Sequence, residues 1–457
     1  MTSPTEAARS HSGRAIATIA IVSGTFMSVL SSTVLNVPLG YIARDLHVSI
    51  ADASLLVTSQ AITFAMLLPL GDWVGNRFGR RKVYCMAIAA YGIGGIVGAL
   101  APNLAVLVAV RVVQGMAAAA IVPLVMTLLA ELYEPSERPL ALSAWAMANS
   151  AGQALGPPLG GVLTSYFGWR SIFVPTPVIA AFACFAAWRY LPADIPRTLP
   201  LEWRGAGTLT LGALFLLSSF AAVPLLGVHS PLVALIALAG CASTAAFVWI
   251  IRTSPNPFIS PAAFREPSYL TSCIGVFGAT TAFSSALLAI PLYLTQALSV
   301  PLASAGFITL TLPLAMALIA PFSSLAVSRL GSGRTMQLGL LALALATAAI
   351  AAAVTAHLGI VALLPAMVLI GAALAAQYTA GAVGTTHSAA GRYGAGIGFF
   401  NLLRVGGAAA GPALVAIVLQ HDGTAYAQVF AISCGLVLLA FAATAVSETR
   451  QVIGKPT

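Results

Sequence analysis

Gly152-Gln153-Ala154-Leu155-Gly156-Pro157-Pro158-Leu159-Gly160-Gly161 lies in the middle of an apolar run, Leu140–Tyr166. Small residues four apart let a neighbouring helix approach closely. The two prolines remove backbone donors and bend the helix that holds them. Helix packing alone would account for the glycines. The double proline and the closing Gly pair make the pattern more specific than that. It also recurs, as Gly407-x-x-x-Gly411-Pro412, at an offset of 255 residues.

The surrounding chain has 457 residues, 59% hydrophobic and only 7% charged. A soluble domain carries roughly 25% charged residues. This composition excludes a soluble enzyme, a disordered chain and a secreted disulfide scaffold. The net charge of +9 does not indicate a nucleic-acid binder, because the basic residues are scattered rather than gathered on a polar face. A polytopic helical membrane protein remains.

A span needs roughly 20 mostly apolar residues. Fourteen runs qualify: Ala15–Val37, Ala53–Gly71, Val83–Ala101, Leu104–Ala130, Leu140–Tyr166, Ile172–Tyr190, Ala206–Val228, Leu232–Ile251, Thr271–Leu298, Ala303–Val327, Met336–Val354, Ile360–Ala382, Ala395–Leu419 and Ala425–Val446. The connections are too short for a soluble domain, so function is expected among the helices. With the N-terminus placed inside, 17 of the 21 Lys and Arg fall on the cytoplasmic side and two, Arg44 and Arg170, outside. That asymmetry predicts cytoplasmic N- and C-termini and an even span count. The first run exceeds a signal-peptide core of about 7–15 residues and carries a polar stripe, so it reads as a span. The five cysteines (Cys85, Cys184, Cys241, Cys273, Cys434) lie in or at the edges of spans without metal or redox spacing. They read as packing thiols.

The recurrence is not confined to the glycines. Pro38 pairs with Pro291 at an offset of 253, and Gly79 in Asn76-Arg77-Phe78-Gly79 pairs with Gly331 in Ser328-Arg329-Leu330-Gly331 at 252. Each pair holds the same place within its half. The expected organisation is therefore a cytoplasmic segment 1–14, a six-helix bundle 15–190, a linker with two inserted helices 191–252, a second bundle 253–446 and a tail 447–457. Parallel six-helix repeats build alternating-access transporters, with the substrate site between the halves.

Three further stretches carry chemistry. The loop after the second span reads Gly71-Asp72-Trp73-Val74-Gly75-Asn76-Arg77-Phe78-Gly79-Arg80-Arg81-Lys82. The positive-inside rule alone would explain its cations, but the echo at Ser328–Gly331 argues for more. Arg111-Val112-Val113-Gln114-Gly115 puts an arginine about seven residues inside the fourth span. A buried Arg costs at least ~2.5–3.5 kcal/mol and needs partners; snorkelling to the surface is the alternative. In the first span Thr25, Ser28, Ser32 and Asn36 share one helical face. Gln60 in the second span and Gln377 and Tyr378 in the twelfth add polar groups. These line a cavity or hydrogen-bond between helices, and the sequence leaves both open.

These residues resemble the major facilitator superfamily, and more narrowly its fourteen-helix drug:proton antiporter family. Asp72 to Arg81 is similar to the superfamily's Gly-x-Leu-Ala-Asp-Arg-x-Gly-Arg-Arg signature. Arg111-x-x-Gln114-Gly115 resembles its fourth-helix motif, and Gly152, Gly156, Pro157, Gly160 and Gly161 resemble the antiporter motif of the fifth. Leu30-Ser31-Ser32-Thr33-Val34-Leu35-Asn36-Val37-Pro38 is similar to the family's first-helix motif, Leu-Asp-x-Thr-Val-x-Asn-Val-Ala. Asn256-Pro257-Phe258, Phe264-Arg265 and Phe400-Asn401-Leu402-Leu403-Arg404-Val405-Gly406-Gly407 also resemble it. The resemblance implies an all-α polytopic major facilitator fold: two six-helix repeats plus an inserted two-helix hairpin. It implies efflux of small amphiphilic compounds from the cell across the inner (plasma) membrane, driven by the proton motive force without a cofactor. A small-molecule substrate and the lipid bilayer are the expected partners, nucleic acid is not, and the chain is expected to act as a monomer. An adaptor protein is not legible in the sequence.

Three positions depart from the pattern. Ser31 stands for the first-helix Asp, Asn76 for the loop Asp and Ser328 for the acid of the second loop. Asp72, one turn before Asn76, is placed to replace its charge. None of the twelve acids falls mid-membrane, whereas Arg111 and Arg404 do. A cationic drug wants a carboxylate to offset desolvation, so neutral or weakly anionic amphiphiles are the expected substrates. Arg404 is the expected substrate-facing cation, and Asn149 is its repeat mate. Proton coupling has several candidates, Glu131, Asp72, His387 and His357, among which the sequence does not choose. A facilitator or symporter on the same fold is the competing function. A membrane enzyme is not expected, because the six His are dispersed and form no catalytic cluster.

Overall fold

The computed structural model describes residues 11–36, 38–48, 50–192, 202–255, 257–387, 395–421 and 425–453. The described residues form long helices without strands. In the first part of the chain these are α1 (His11–Thr33), α2 (Ile50–Leu67), α3 (Arg80–Ala99), α4 (Leu104–Leu132), α5 (Arg138–Phe167) and α6 (Pro175–Tyr190). Two more follow, α7 (Trp203–Leu226) and α8 (Pro231–Thr253). The rest are α9 (Pro267–Leu292), α10 (Thr311–Leu330), α11 (Ser332–Thr355), α12 (Ile360–His387), α13 (Ala395–His421) and α14 (Tyr426–Ile453).

Local chemistry sets several boundaries. Pro opens α5, α6, α8 and α9 in the first helical positions, where its missing N–H costs nothing. Asn103 caps α4 by accepting from Val106 N at 3.0 Å, and Glu202 caps α7 through Gly205 N at 2.7 Å. Gly79 (φ 93°) ends the Gly71–Phe78 helix that extends α2, and Gly331 (φ 83°) ends α10. Both backbones are ones that L side chains rarely adopt, so the Gly pair read from the repeat has a conformational reason.

Among the described residues, eleven segments are long and apolar enough to cross a membrane. The apolar stretch within α2 and its 3-10 extension, Leu55–Leu70, is shorter. The helix α5, diluted by Asn149, Ser150 and Gln153, and the helix α7 fall outside that set. This is a multi-pass membrane protein, but eleven segments rather than fourteen meet that measure.

The chain divides into two compact units, Met1–Leu201 and Glu202–Thr457. In the first, α1 packs on α5 and α6, α2 on α4, and α3 on α4 and α6. In the second, α9 packs on α13 and α14, α10 on α12, and α11 on α12 and α14. Each of these pairings in one unit has its counterpart in the other. The inserted helices α7 and α8 pack on each other, and α7 lies against α13.

The repeats differ at one end. After α1 the chain tightens into a 3-10 turn, Val34–Asn36, whereas α9 runs through Pro291 and widens into a π-turn, Tyr293–Ala297.

Candidate functional site

Three helices of the first unit, α1, α2 and α4, converge on Arg111, which has no exposed surface. Its Nε donates to Leu56 O at 2.9 Å, and Nη1 donates to Ser31 Oγ at 3.1 Å and to Gln114 Oε1 at 2.9 Å. Nη2 donates to Gln60 Oε1. These acceptors are all neutral. The guanidinium does not snorkel. It is caged by a hydroxyl, two amides and a backbone carbonyl, which satisfy its N–H groups without supplying a counter-charge. Ser31, standing where the family motif has an acid, is one of the four acceptors.

Near the end of α4 a second cluster joins the glycine-rich stretch to the bundle. Arg80, buried, forms an ion pair with Glu131, whose side chain is half-exposed. Its Nη2 donates to Asn76 Oδ1 at 2.6 Å. Asn76 thus takes a carboxylate's place with its own amide oxygen. The side chain of Asp72 lies outside those described. Arg81 donates to Leu191 O at 2.8 Å and stacks over Trp188 at 4.6 Å, tying the start of α3 to the end of α6. Gly71 and Gly75 press against Ala119 O and Leu124 of α4. Arg77 is exposed.

The glycine stripe of α5 is seated on α1. A Cβ at Gly152 would stand 3.0 Å from Phe26 O, one at Gly156 would stand 2.6 Å from Thr33 Cβ, and one at Gly160 would overlap Val34 O. Thr33 Oγ1 reaches across to Gly152 O at 3.1 Å. The second unit repeats the arrangement between α13 and α9. There Gly407 and Gly411 lie on Phe277 O and Ser285 N, and Ser284 Oγ donates to Gly407 O at 3.3 Å. Pro157 and Gly161 are only partly buried.

In the second unit Arg404 is 9% exposed. Its Nε donates to Asn401 Oδ1 at 3.2 Å, and its guanidinium lies 5.5 Å from the centre of the Tyr378 ring. The three residues predicted separately on α12 and α13 are therefore neighbours. Gln377, fully buried, donates to Met336 O at 2.6 Å and is wedged between Gly275 and Gly339.

These arrangements, two glycine-seated helix pairs and a caged arginine on the fourth helix, match one family. A profile of the Major Facilitator Superfamily covers residues 21–256 and 272–456. The chain belongs to the major facilitator superfamily. The puromycin resistance protein pur8 of Streptomyces alboniger is 31% identical over 271 residues, 57% of this chain and 53% of its own length. The multidrug export protein EmrB of Haemophilus influenzae is 27% identical over 283 residues, 61% of this chain and 55% of its own. The chain spans about half the length of the curated relatives it matches. Among solved structures, the human organic anion transporter MFSD10 superposes with a TM-score of 0.67 at 20% identity, over 94% of this chain and 99% of that one. The proton:xylose symporter XylE gives 0.62 at 16%, over 93% and 94%. Both are likenesses of fold.

Against this major facilitator frame the other predicted positions sort by partner. Ser28 and Ser32 donate back to Thr25 O and Val29 O of their own helix. Asn149, fully buried, accepts from Gln153 at 2.7 Å. The side chains of Asn36 and His387 and all of Asn256 lie outside the described residues, and His357 is exposed with φ 52°. Two residues to which the sequence assigned no role have one in the structure. Thr33 bridges α1 to α5. Tyr91, the lone hydroxyl in the middle of the third span, joins the Arg111 cage.

A third cluster joins Asp45, at the end of the short helix Leu39–Asp45, to Trp169 and Arg170 at the start of the 3-10 turn Trp169–Phe173. Asp45 Oδ2 accepts from Trp169 Nε1 and from Arg170 Nη1, each at 2.9 Å, and Arg170 stacks over Trp169 at 4.2 Å. The indole hydrogen bond and then the guanidinium hold the Asp45 carboxyl below its ordinary value. A depressed folded value means the clasp is fully made above the unfolded carboxyl's range and fails as pH falls through the folded one. In a variant whose sole tryptophan is Trp169, fluorescence is expected to stay constant on acidification and to change only below about pH 4. Asp45→Asn is expected to remove that step.

Proposed function

We propose that this major facilitator protein exports small amphiphilic compounds across the cytoplasmic membrane by alternating access, in exchange for protons. The observation that carries the reading is the Gly152–Gly156–Gly160 stripe seated against α1, built from residues that resemble the antiporter motif. The relatives' names, puromycin resistance and multidrug export, support it. On this reading fourteen helices span the inner membrane, the termini are cytoplasmic, and residues 15–190 and 253–446 are the moving bundles with 191–252 inserted between them. The protein works as a monomer, without a cofactor.

The charge pattern narrows the substrate. Arg111 is enclosed by neutral acceptors, and Arg404 sits with Asn401 and Tyr378. A path with these residues suits neutral or anionic amphiphiles better than quaternary ammonium compounds. For coupling, Glu131, whose half-exposed carboxylate pairs with the buried Arg80 at the end of α4, is the acid the geometry favours. Ser31 in place of an acid favours a second reading, a facilitator or symporter of a neutral or anionic metabolite.

Inverted membrane vesicles separate the two. Export in exchange for protons predicts that energised vesicles accumulate puromycin or anionic amphiphiles and lose them when the pH gradient and the membrane potential are collapsed. Uptake that continues unchanged after collapse would remove proton coupling and leave facilitation. Selective uptake of cationic compounds would overturn the substrate class.

A further inference from the structure

The Arg111 cage needs both glutamine amides turned the same way. An amide presents an acceptor on one side and two donors on the other. Gln60 and Gln114 each give their oxygen to Arg111, so each must find an acceptor for its nitrogen on the opposite side, in a place closed to bulk solvent. Tyr91 supplies both. Gln60 Nε2 donates to the Tyr91 hydroxyl at 2.8 Å, and Gln114 Nε2 donates to the Tyr91 backbone carbonyl at 3.3 Å. The hydroxyl in turn donates to Ser28 O at 3.3 Å, and it also lies within reach of Ser31 and Arg111. Tyr91 is fully buried, as are Gln114 and Arg111, and Gln60 is 5% exposed.

We infer that Tyr91 is a positioning residue, whose hydroxyl fixes the Gln60 amide with its oxygen toward Arg111 and so sets the guanidinium across α1, α2 and α4. The chemistry is directional. Without the hydroxyl, the Gln60 N–H groups lose the acceptor they have, and the guanidinium on the other side of the amide donates only. The amide then has one orientation that satisfies Arg111 and strands its own nitrogen, and another that faces donors with donors. A tyrosine ring without its oxygen fills the same space and leaves this conflict in place.

The inference rests on the transporter reading for its consequence, not for its geometry, so the test carries two readouts. The first is the unfolding temperature of the purified protein. The second is puromycin uptake into energised vesicles. Tyr91→Phe is measured in three backgrounds: the native Gln60, Gln60→Glu and Gln60→Leu. A carboxylate accepts through either oxygen and has no nitrogen to place, and leucine has neither. With Gln60, Tyr91→Phe is expected to lower the unfolding temperature by several degrees and uptake by about threefold, the scale of one interhelical hydrogen bond in lipid. In the Gln60→Glu and Gln60→Leu backgrounds the same change is expected to cost distinctly less, because only the hydroxyl's own donated bond is then lost. Equal losses in all three backgrounds would overturn the inference, since the hydroxyl would then act through Ser28 or Ser31 or by filling space. No loss with Gln60 would overturn it as well. If uptake is absent from the native protein while the unfolding temperatures follow the expected pattern, the transport reading fails and the positioning role stands.

Discussion

Arg111→Lys is expected to unfold at a lower temperature than Arg111→Leu, although lysine keeps the charge. Two opposing quantities decide this. Removing the guanidinium regains the cost of holding an arginine within the membrane, at least about 2.5–3.5 kcal/mol. It also breaks the bonds to Leu56 O, Ser31, Gln114 and Gln60, worth about 0.6–1.7 kcal/mol each in lipid. For leucine the gain and the loss are of similar size, so the fold survives. Lysine retains the desolvation cost, yet its ammonium is a single point of charge that cannot span acceptors set around a planar fork. It therefore loses part of the binding without recovering the penalty. Both variants are expected to lose transport by at least about tenfold, a change of ~1.4 kcal/mol, because the cage is what ties α1, α2 and α4 to one another at this depth. Thermal unfolding of the purified variants in one detergent checks the order. If lysine proved the more stable of the two, charge rather than fork geometry would be what the site requires.

The large features of this fold were written in the chain because they depend on spacing. The offsets that pair Gly79 with Gly331 and Gly156 with Gly411 correspond to matched turns and helix contacts in the two units, whereas Pro38 follows a 3-10 turn and Pro291 lies inside a helix. Arg111 announced itself by its rarity in an apolar run. What spacing could not supply was the neighbour of each polar group. Thr25, Ser28 and Ser32 share a helical face and read as one stripe. Yet Ser28 and Ser32 satisfy their own helix, while Ser31, off that face, turns to Arg111. Periodicity defines a face and is silent on what the face meets. The same limit hid Tyr91. Its role depends on which way two amides from other helices are turned, and the residues involved are 31 and 23 positions away. The reading of Asp72 as a stand-in for Asn76 rested on charge alone. The geometry adds that Asn76 itself accepts from Arg80 through its amide oxygen.

Alanine at the α5 glycines should damage the protein in an order set by what the new methyl group meets, and only one of the losses should be recoverable. At Gly152 the nearest atoms are 3.0 Å away, a misfit that a small shift of α5 relieves. At Gly156 the obstruction is the Thr33 side chain, its hydroxyl and a Cβ at 2.6 Å, with backbone no nearer than 3.1 Å. At Gly160 it is a backbone carbonyl, Val34 O, which no change of side chain removes. Overpacking of this kind costs about 1–3 kcal/mol, and more when the neighbour cannot yield. Gly160→Ala is therefore expected to be the most damaging to both stability and transport, Gly156→Ala next and Gly152→Ala least. Thr33→Gly combined with Gly156→Ala should recover most of the loss, less roughly 1 kcal/mol for a glycine placed in a helix. The same Thr33 change should do nothing for Gly160→Ala. The second unit offers the control. A Cβ at Gly411 would stand 2.6 Å from Ser285 N and 2.7 Å from Thr281 O, both backbone atoms, so Gly411→Ala should resist side-chain rescue as Gly160→Ala does. Unfolding temperature and vesicle uptake, read on the four single variants and the two double variants, test the order and the rescue together. Recovery of Gly160→Ala by Thr33→Gly would mean that the seam yields as a whole and that local contact with α1 does not set the cost.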